Sequence, residues 1–405
     1  MRYVFLVFQI AILLAIAGCS NEDQLKSISD NSNKNSERSI RSLENALSNA
    51  DRWFNEMDSL NGTRSHVKRS VRSVEVFTTD SPTRAGSVDT LLYLVNYDED
   101  GGFALLGAPY ASEDIYAISE QGKLEIADTV FNKGLQLFIE DAENDAYYSA
   151  NSTSIDFNYV YGIKRRGMAA LPENVSKWNQ TSPFNKYCPL INVQRGYVGC
   201  GAVAAGMLMA YYRWPDKIEE SYVDWNSIVD ANSYDAIAKF LETIAGSNYL
   251  DSWYSHPESS LSRSTYSSSF KPAFSNCGYS VSQCWNFMGF NDNRKVVFDF
   301  IKDGIYSAYD KAPLIMFGSR TTEEGKYAGH FWIVDGFVER IKSVGNSPIT
   351  SEADPLLHMI WGWGGAGNGY YLYKLSDKTI DVEQYDGNYK TMPYTNLSVF
   401  GRIQK

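Results

Sequence analysis

A run of small and apolar residues, Ala202-Val-Ala-Ala-Gly-Met-Leu-Met-Ala, is the feature that most constrains how this chain folds. The run follows Gly199-Cys200-Gly201 and stops before Pro215, and proline ends a helix because it lacks a backbone N–H. The pattern therefore predicts a helix that begins at Cys200. Its small side chains allow close packing against a sheet while the thiol in the first turn stays accessible.

The position of Cys200 makes it a candidate nucleophile. A thiol in the first turn of a helix lies at the positive end of the helix dipole. This field and a nearby imidazolium together lower the pKa of a thiol and raise its thiolate fraction. One cysteine with a distant histidine is the usual arrangement in cysteine proteases. Taken alone, the pattern also fits a buried structural cysteine on a packed helix.

One of the four histidines lies where a catalytic base would be held firmly. His330 follows Gly329, which opens backbone space, and precedes the apolar run Phe331-Trp-Ile-Val-Asp-Gly, which predicts a strand. A strand provides the rigid support that a catalytic group requires. The alternative is an ordinary polar residue at a strand end. The other histidines are His66, His256 and His358.

Charge and composition argue against a nucleic-acid-binding protein. The 405 residues carry a net charge of −11, and the one basic run, residues 64–72, lies near a predicted linker. A nucleic-acid binder usually presents a basic stripe to the phosphates. The aromatic content of 14%, with 28 Tyr, is typical of a β-rich extracellular protein.

The N-terminus predicts export. The apolar run from Val4 to Ala17 is shorter than the roughly 20 residues of a spanning helix, and residues 1–18 have the pattern of a signal peptide. Ile16-Ala17-Gly18-Cys19 resembles a bacterial lipobox, which implies lipidation of Cys19. A plain cleaved signal or a weak membrane anchor are the alternatives. We expect a protein of the bacterial cell envelope, lipid-anchored at the outer membrane or cell surface, or a secreted one, whose only membrane contact is that lipid.

The remaining chain divides into a tether and two domains. Residues 19–42 are polar and predict a flexible tether. Residues 43–165 predict a small α+β domain, and residues 166–405 a second, larger domain. The polar stretch 151–176 contains Lys164-Arg165-Arg166 and is typical of a protease-sensitive linker. The predicted elements of the first domain are a helical segment at 43–72, whose basic and polar end at 64–72 also fits a loop, strands at 90–97, 103–108 and 115–119, and a helix at 127–150.

The second domain is predicted to contain helices first and antiparallel strands afterwards. A second helix fits the residues from Asn293 to Tyr309. Strands are predicted at 314–317, 331–337, 356–361 and 370–373.

Four blocks in this domain together resemble the streptopain family of cysteine peptidases. They occur in family order at suitable spacing and span residues 178–373. The blocks are Trp178-Asn179-Gln180 with Pro183-Phe184-Asn185 and Cys188-Pro189, Gly199-Cys200 through Trp214-Pro215, Gly329-His330 to Asp335-Gly336, and Trp361-Gly-Trp-Gly-Gly with Asn368-Gly-Tyr-Tyr. The predicted hairpin from Thr90 to Ala108 resembles the propeptide that precedes and inhibits this class.

The resemblance implies an α+β, papain-like fold, with a nucleophile helix packed on an antiparallel sheet. Cys200 would attack the scissile carbonyl, and His330 would take the thiol proton and later protonate the leaving amine. Gln180 would donate its amide to the oxyanion beside the N–H of Cys200. Trp361 would exclude water from Cys200 and His330, and Gly329 would support the active site by opening backbone space beside His330. Without the resemblance, Gln180 reads as a surface polar residue and Trp361 as part of a structural turn.

Two positions depart from the family pattern. Ile360 stands where the family usually has Asn, and its side chain can neither donate nor accept a hydrogen bond. Orientation of His330 must then come from Trp361 packing, a backbone carbonyl or another polar group. Gly201 stands where a β-branched residue is common. We expect activity to survive, because the family works mainly through a Cys–His dyad.

The resemblance also implies a precursor whose N-terminal domain covers the cleft until it is cut, near Arg165-Arg166 or before Leu171. The expected partners are protein or peptide substrates and the chain's own propeptide, with no cofactor and no metal. A metal site is the alternative to a thiol nucleophile, but the ligand spacings that mark a metal site are missing from the sequence. Its residues would be Cys188, Cys200, His330 and His358.

Three further points stay open in the sequence. A surface binding protein with a degraded protease site is the second alternative, and Ile360 is the feature that favours it. Cys277 and Cys284 either form a disulfide or remain two small buried side chains. Asp335 is an odd number of residues from His330 along a strand, so it should point to the other face and not act as a triad acid. His358 is expected to be a packed strand residue.

Overall fold

The structure is a computed structural model that describes most of the chain after residue 39. The described residues are 40–60, 69–79, 90–129, 132–151, 159–218, 220–254, 260–287, 294–306, 311–321, 327–345, 347, 349–375 and 396–404. The predicted leader, Cys19, most of the tether, His66 and His256 lie outside them. No helix within these ranges combines the length and apolar character needed to cross a lipid bilayer.

The N-terminal domain is built from an antiparallel sheet covered by helices. Its elements are α1 (Leu43–Leu60), β1 (Val71–Thr78), β2 (Thr90–Tyr97), β3 (Phe103–Gly107), β4 (Ile115–Ser119), α2 (Ile126–Thr129) and α3 (Lys133–Asn151). Helix α1 is amphipathic, and it buries residues such as Ala50, Trp53 and Met57 that recur every three or four positions. The single helix predicted at 127–150 is two helices.

The second domain begins with short elements and the two helices that carry its core. These are β5 (Tyr159–Met168), α4 (Glu173–Ser176), β6 (Leu190–Ile191), β7 (Gln194–Arg195), α5 (Cys200–Tyr212), β8 (Lys217–Ile218), β9 (Ser221–Tyr222), a π-helical turn (Asn226–Asp230), α6 (Tyr234–Ala245), β10 (Trp253–Tyr254), β11 (Arg263–Ser264), a 3₁₀ turn (Ser267–Ser269) and α7 (Phe270–Asn276). Helix α5 is the predicted nucleophile helix.

The rest of the second domain is mostly strand. Its elements are β12 (Ser280–Phe287), α8 (Arg294–Tyr306), β13 (Leu314–Thr321), β14 (Tyr327–Val344), β15 (Ser351–Ile360), β16 (Gly369–Leu372) and β17 (Asn396–Gln404). Helix α8 and strands β13 to β16 lie where the sequence predicts them.

A single antiparallel sheet joins the two domains. Eleven strands of the described chain belong to it, in the order β1-β2-β3-β4-β16-β15-β14-β13-β17-β12, with β5 paired to β14. The two domains meet where β4 pairs with β16, through Ile118 with Tyr370 and Ala117 with Tyr371.

The stretch expected to be a linker is in part a strand, so that prediction is wrong for residues 159–168. Strand β5 pairs with β14 at nine positions, from Met168 opposite Gly336 to Tyr159 opposite Val344. Its polar side chains give no strand pattern in the sequence. The strand forms because its backbone N–H and C=O groups pair with those of β14. The sequence-based boundary at 165/166 therefore falls inside a paired strand.

Strand β14 separates two hydrophobic cores. Phe331 and Ile333 belong to the core around helix α5, while Trp332 and Val334 belong to the core shared with the N-terminal domain. Alternate residues of a strand point to opposite faces, which explains the division. The strand that carries His330 is thus held from both sides.

Candidate active site

Cys200 begins helix α5 after a sharply turned glycine. Gly199 has a φ of +98°, and a Cβ at this position would lie 3.1 Å from the carbonyl oxygen of Arg263. Only glycine adopts this conformation without strain. The loop therefore presents Cys200 at the first turn of the helix, as the sequence predicts.

The Cys200 thiol is partly exposed and surrounded by backbone N–H groups. Burial of the sulfur raises the pKa of the thiol above its usual value, while hydrogen bonds from the N–H groups of Phe331, Gly201 and Cys200 itself oppose the rise. Cys200 packs against the hydrophobic core that contains Phe331, the residue after His330. The donors at the helix start would stabilise a negative charge that develops there.

Thr265 explains the unusual glycine after the nucleophile. A Cβ on Gly201 would lie 2.7 Å from Oγ1 and 2.9 Å from Cβ of Thr265. The Thr265 hydroxyl is held by a 2.7 Å hydrogen bond with Oγ of Ser252. The threonine thus fills the volume that a β-branched side chain at position 201 would need.

His330 is buried at the start of β14, and a backbone carbonyl holds its ring. Burial lowers the pKa of His330 to about 4, and the carbonyl of Trp361 opposes this shift. Nε2 lies 3.0 Å from that carbonyl oxygen. A carbonyl only accepts hydrogen bonds, so Nε2 carries the proton and Nδ1 is left as the free base.

Cys200 and His330 are not hydrogen-bonded to each other. Among the described contacts there is no hydrogen bond between the Cys200 sulfur and the His330 ring. The raised pKa of Cys200 and the lowered pKa of His330 both favour a neutral thiol and a neutral imidazole.

Aromatic rings surround His330. The ring centroids of Trp332 and Trp361 lie 6.2 and 6.0 Å from that of His330, and 5.4 Å from each other. Both indoles are buried. Gly329 is exposed and pairs with Ser319 across the sheet, so the strand opens to solvent just before the histidine. These rings exclude water from one side of the imidazole.

Gln180 has a buried amide with nothing to bind. Its side chain is 5% exposed, and among the described residues Nε2 has no hydrogen-bond partner. Its backbone carbonyl accepts the N–H of Val198, two residues before Cys200, at 2.9 Å. A buried donor without a partner is costly, which marks it as a donor held ready for a ligand.

Asp335 and His358 form a pair of their own. Oδ1 of Asp335 lies 2.5 Å from Nδ1 of His358, and Oδ2 accepts the N–H of Leu171 at 3.3 Å. The carboxylate is therefore occupied away from His330. His358 also packs against Tyr370, with ring centroids 4.8 Å apart. The pair fastens the start of the second domain to the sheet.

The cysteines outside the nucleophile position have separate surroundings. Cys188 is buried and donates to Glu242 Oε2 at 3.2 Å, and burial raises the pKa of its thiol to about 12. Cys277 is a free thiol, and the side chain of Cys284 lies outside the described part. The described residues contain no group of three or more His, Cys, Asp or Glu side chains suited to a metal ion.

Sequence reasoning left two contributors to the site unassigned. The Trp361 carbonyl has no side-chain signal at all, and the sequence named a backbone carbonyl only as one option for orienting His330. Asn368 lies in the block Asn368-Gly-Tyr-Tyr, and its side chain accepts the N–H of Trp361 at 3.1 Å. The signal that could have indicated a role for Asn368 is its side-chain amide within that block.

The chain resembles known proteases over the region that contains these residues. The model of the peptidase C10 family matches residues 178–371, which include Gln180, Cys200 and His330. The matched segment resembles this family of peptidases and covers a little under half of the chain. The streptopain-type resemblance of the sequence blocks is thereby confirmed.

Two curated relatives of the C10 domain are bacterial proteases. Streptopain of Streptococcus pyogenes is 22% identical over 350 residues, which cover 75% of this chain and 79% of that protein. The thiol protease/hemagglutinin PrtT of Porphyromonas gingivalis is 26% identical over 242 residues, which cover 53% of this chain. The aligned part spans only 25% of PrtT.

A solved structure shows the same fold. A fragment of Prevotella intermedia prointerpain A aligns with a TM-score of 0.50 and 17% identity, over 81% of this chain and 98% of that one. The papain-like fold preceded by an N-terminal α+β domain is confirmed. The C10 model match and this shared fold agree with the cysteine peptidase that the sequence predicts.

Proposed function

We propose that this protein is the precursor of a cysteine endopeptidase, with Cys200 as nucleophile and His330 as general base. The observation that carries the proposal is the packing of Cys200, at the start of α5, against the core that contains Phe331 and Ile333 of the histidine strand. The match to the peptidase C10 family model supplies the reaction class.

The reaction would proceed by acyl transfer through the thiol. Nδ1 of His330 takes the proton of the Cys200 thiol as the sulfur attacks the scissile carbonyl. The amide of Gln180 and the N–H of Cys200 receive the developing oxyanion. The imidazolium then protonates the leaving amine, and water releases the acyl group. Trp361 supports the ring through its carbonyl and its indole.

Substrate binding is proposed to extend along the surface beside Gln180. A groove of about 540 Å³ begins there, and its walls include Thr181, Arg195, Tyr197 and Leu261. Tyr197 packs edge-on against Trp363, with ring centroids 5.9 Å apart. This contact connects the groove to the loop that follows Trp361. The substrates are proposed to be proteins or peptides.

The N-terminal domain is proposed to act as an intramolecular inhibitor that is removed on activation. Its sheet continues into the C10 domain, so the two parts of the chain are held together in the precursor. The relative prointerpain A bears the prefix of a precursor in its name. We further propose that the leader directs export and that Cys19 carries a lipid at the cell envelope.

The binding-protein alternative loses its main argument. Ile360 lacks a polar group, but the adjacent Trp361 carbonyl already holds His330.

The test compares the purified wild-type precursor with Cys200→Ala and the matched control Cys188→Ala. We expect wild type and Cys188→Ala to process themselves and digest casein, whereas Cys200→Ala does neither. Processing is followed on gels and casein digestion by released peptides. Casein digestion by Cys200→Ala at the wild-type rate would refute the proposal.

A further inference from the structure

The loop that orients His330 is built from residues with unusual conformational freedom. It runs from Trp361 to Asn368, and four of its glycines have positive φ, between +67° and +90°. They are Gly362, Gly364, Gly365 and Gly367. Glycine permits many backbone conformations, so the loop sequence does not by itself fix where the Trp361 carbonyl points.

One side chain restrains the loop at the residue that matters. Oδ1 of Asn368 accepts the N–H of Trp361 at 3.1 Å, and Nδ2 donates to the carbonyl of Ser176 at 3.1 Å. The Asn368 N–H also donates to the carbonyl of Gly365 at 3.1 Å. The amide thus joins both ends of the loop to α4, with its acceptor and its donor in use.

The restraint continues to the base. The carbonyl of Trp361 is 3.0 Å from Nε2 of His330, so the direction of this residue decides which imidazole nitrogen holds the proton. A second restraint, from Gly364 N–H to the Trp178 carbonyl at 3.0 Å, acts in the middle of the loop. Apart from the bond to His330, the Asn368 contact is the one hydrogen bond to the Trp361 backbone among those described.

We propose that Asn368 is a positioning residue for His330, acting through the backbone of Trp361. It replaces, eight residues later, the side-chain amide that is missing at Ile360. An Asn at position 360 would contact the His330 ring directly. The Asn368 amide instead holds the backbone of Trp361, whose carbonyl holds the ring. The inference rests on the proposed function only for its kinetic consequence, because the state of the ring is measurable without turnover.

The test uses Asn368→Leu and Asn368→Asp in the full chain. Leucine has a similar size but neither donor nor acceptor, whereas aspartate keeps the acceptor for Trp361 and loses the donor to Ser176. We expect the activated Asn368→Leu enzyme to lose about 10- to 100-fold in kcat with little change in KM, because the base is misplaced. Asn368→Asp should retain more of kcat than the leucine variant.

A matched control separates positioning from general stability. Asn174 also donates to a backbone carbonyl, that of Val229 at 2.5 Å, and lies on α4 away from His330. Asn174→Leu should lose about as much thermal stability as Asn368→Leu, but its kcat should stay at the wild-type value.

The direct readout is the tautomer of His330, measured by ¹⁵N NMR on the precursor. We expect the proton on Nε2 in the wild type and in Asn174→Leu, and a mixture of Nε2 and Nδ1 forms in Asn368→Leu. An unchanged tautomer in Asn368→Leu would overturn the inference even if the wild type proved inactive. If the leucine variant does not fold, an Asn368→Asp enzyme with a mixed tautomer would overturn it equally, because the acceptor is retained.

Discussion

Gln180 carries its chemistry in a single group, a buried amide that binds no other part of the described protein. Most buried polar groups are satisfied, and leaving one without a partner costs about 1–3 kcal/mol. The fold tolerates this cost beside the nucleophile loop. Such an arrangement is expected where binding a transition state supplies the missing partner.

Replacing Gln180 by methionine tests this interpretation. Methionine has a similar length and shape but no donor, so we expect kcat/KM to fall by about two to three orders of magnitude. The melting temperature should stay the same or rise, because the unpaired donor is gone. Kinetics on peptide substrates and thermal unfolding measure the two quantities. A variant with undiminished kcat/KM would remove Gln180 from the mechanism.

At this scale, the sequence can predict side chains but not the backbone groups that complete the site. Cys200, His330 and Gln180 stand out because their residue types and surroundings suggest chemistry. The Trp361 carbonyl has no such signature, since every residue has a carbonyl. Thr265 is likewise invisible as the neighbour of Gly201, because the two are far apart in the chain and only the fold brings them together.

At the scale of elements, β5 shows how a partner decides secondary structure. Residues such as Lys164, Arg165 and Arg166 give no strand pattern, yet β5 pairs along half of β14. The apolar strands β2, β3 and β4 were predictable, because burial on both faces leaves continuous apolar runs. A polar strand at the side of a long partner is predictable only once that partner is known.

The pairing predicts which fragment survives activation. Removing β5 would leave without partners those N–H and C=O groups of residues 336–344 in β14 that face β5 and not β15, so we expect the mature enzyme to keep β5. Its N-terminus should lie at or before Tyr159, and Arg165→Gln with Arg166→Gln should not prevent maturation. N-terminal sequencing and mass spectrometry of the product decide this. A mature chain that starts between residues 166 and 171 would contradict the prediction.

At the scale of the whole molecule, buried charges join the two domains. The side chain of Arg340, on β14, is 0% exposed and donates to Glu113 of the N-terminal domain at 2.8 Å. A second guanidinium nitrogen lies 3.6 Å from Asp114. Lys374 pairs with Asp145 in the same region. Arg340 and Lys374 thus join the second domain to carboxylates of the N-terminal domain, and Arg52 of the N-terminal domain adds a further cation at Asp114.

The cluster makes the precursor sensitive to acid. Burial alone would raise the pKa of Glu113, but Arg340 and Lys374 hold it below its usual value of 4.5. The ionised carboxylate therefore stabilises the folded state above pH 4.5, and this contribution is lost as the pH falls through the lowered pKa. Burial raises the pKa of Asp114, so this neighbour acts with the opposite sign.

Glu113→Gln tests the effect on the full-length Cys200→Ala precursor. We expect a loss of about 3 kcal/mol in the free energy of unfolding at pH 7, because Arg340 loses its buried partner. Below pH 4.5 the gap to the parent should narrow. Urea unfolding at several pH values measures both, with the exposed Glu44→Gln as control. A gap that stays constant with pH would contradict the role given to Glu113.

The seam between β4 and β16 has a consequence for the life of the enzyme after activation. Tyr370 and Tyr371 are buried there, and once β4 leaves, β16 becomes an open sheet edge flanked by aromatic rings. Unprotected edges of this kind recruit other strands and promote aggregation. In the proposed precursor, the N-terminal domain therefore covers this sheet edge as well as the cleft. The proposed removal of that domain would expose the edge and lower the solubility of the enzyme at the same time.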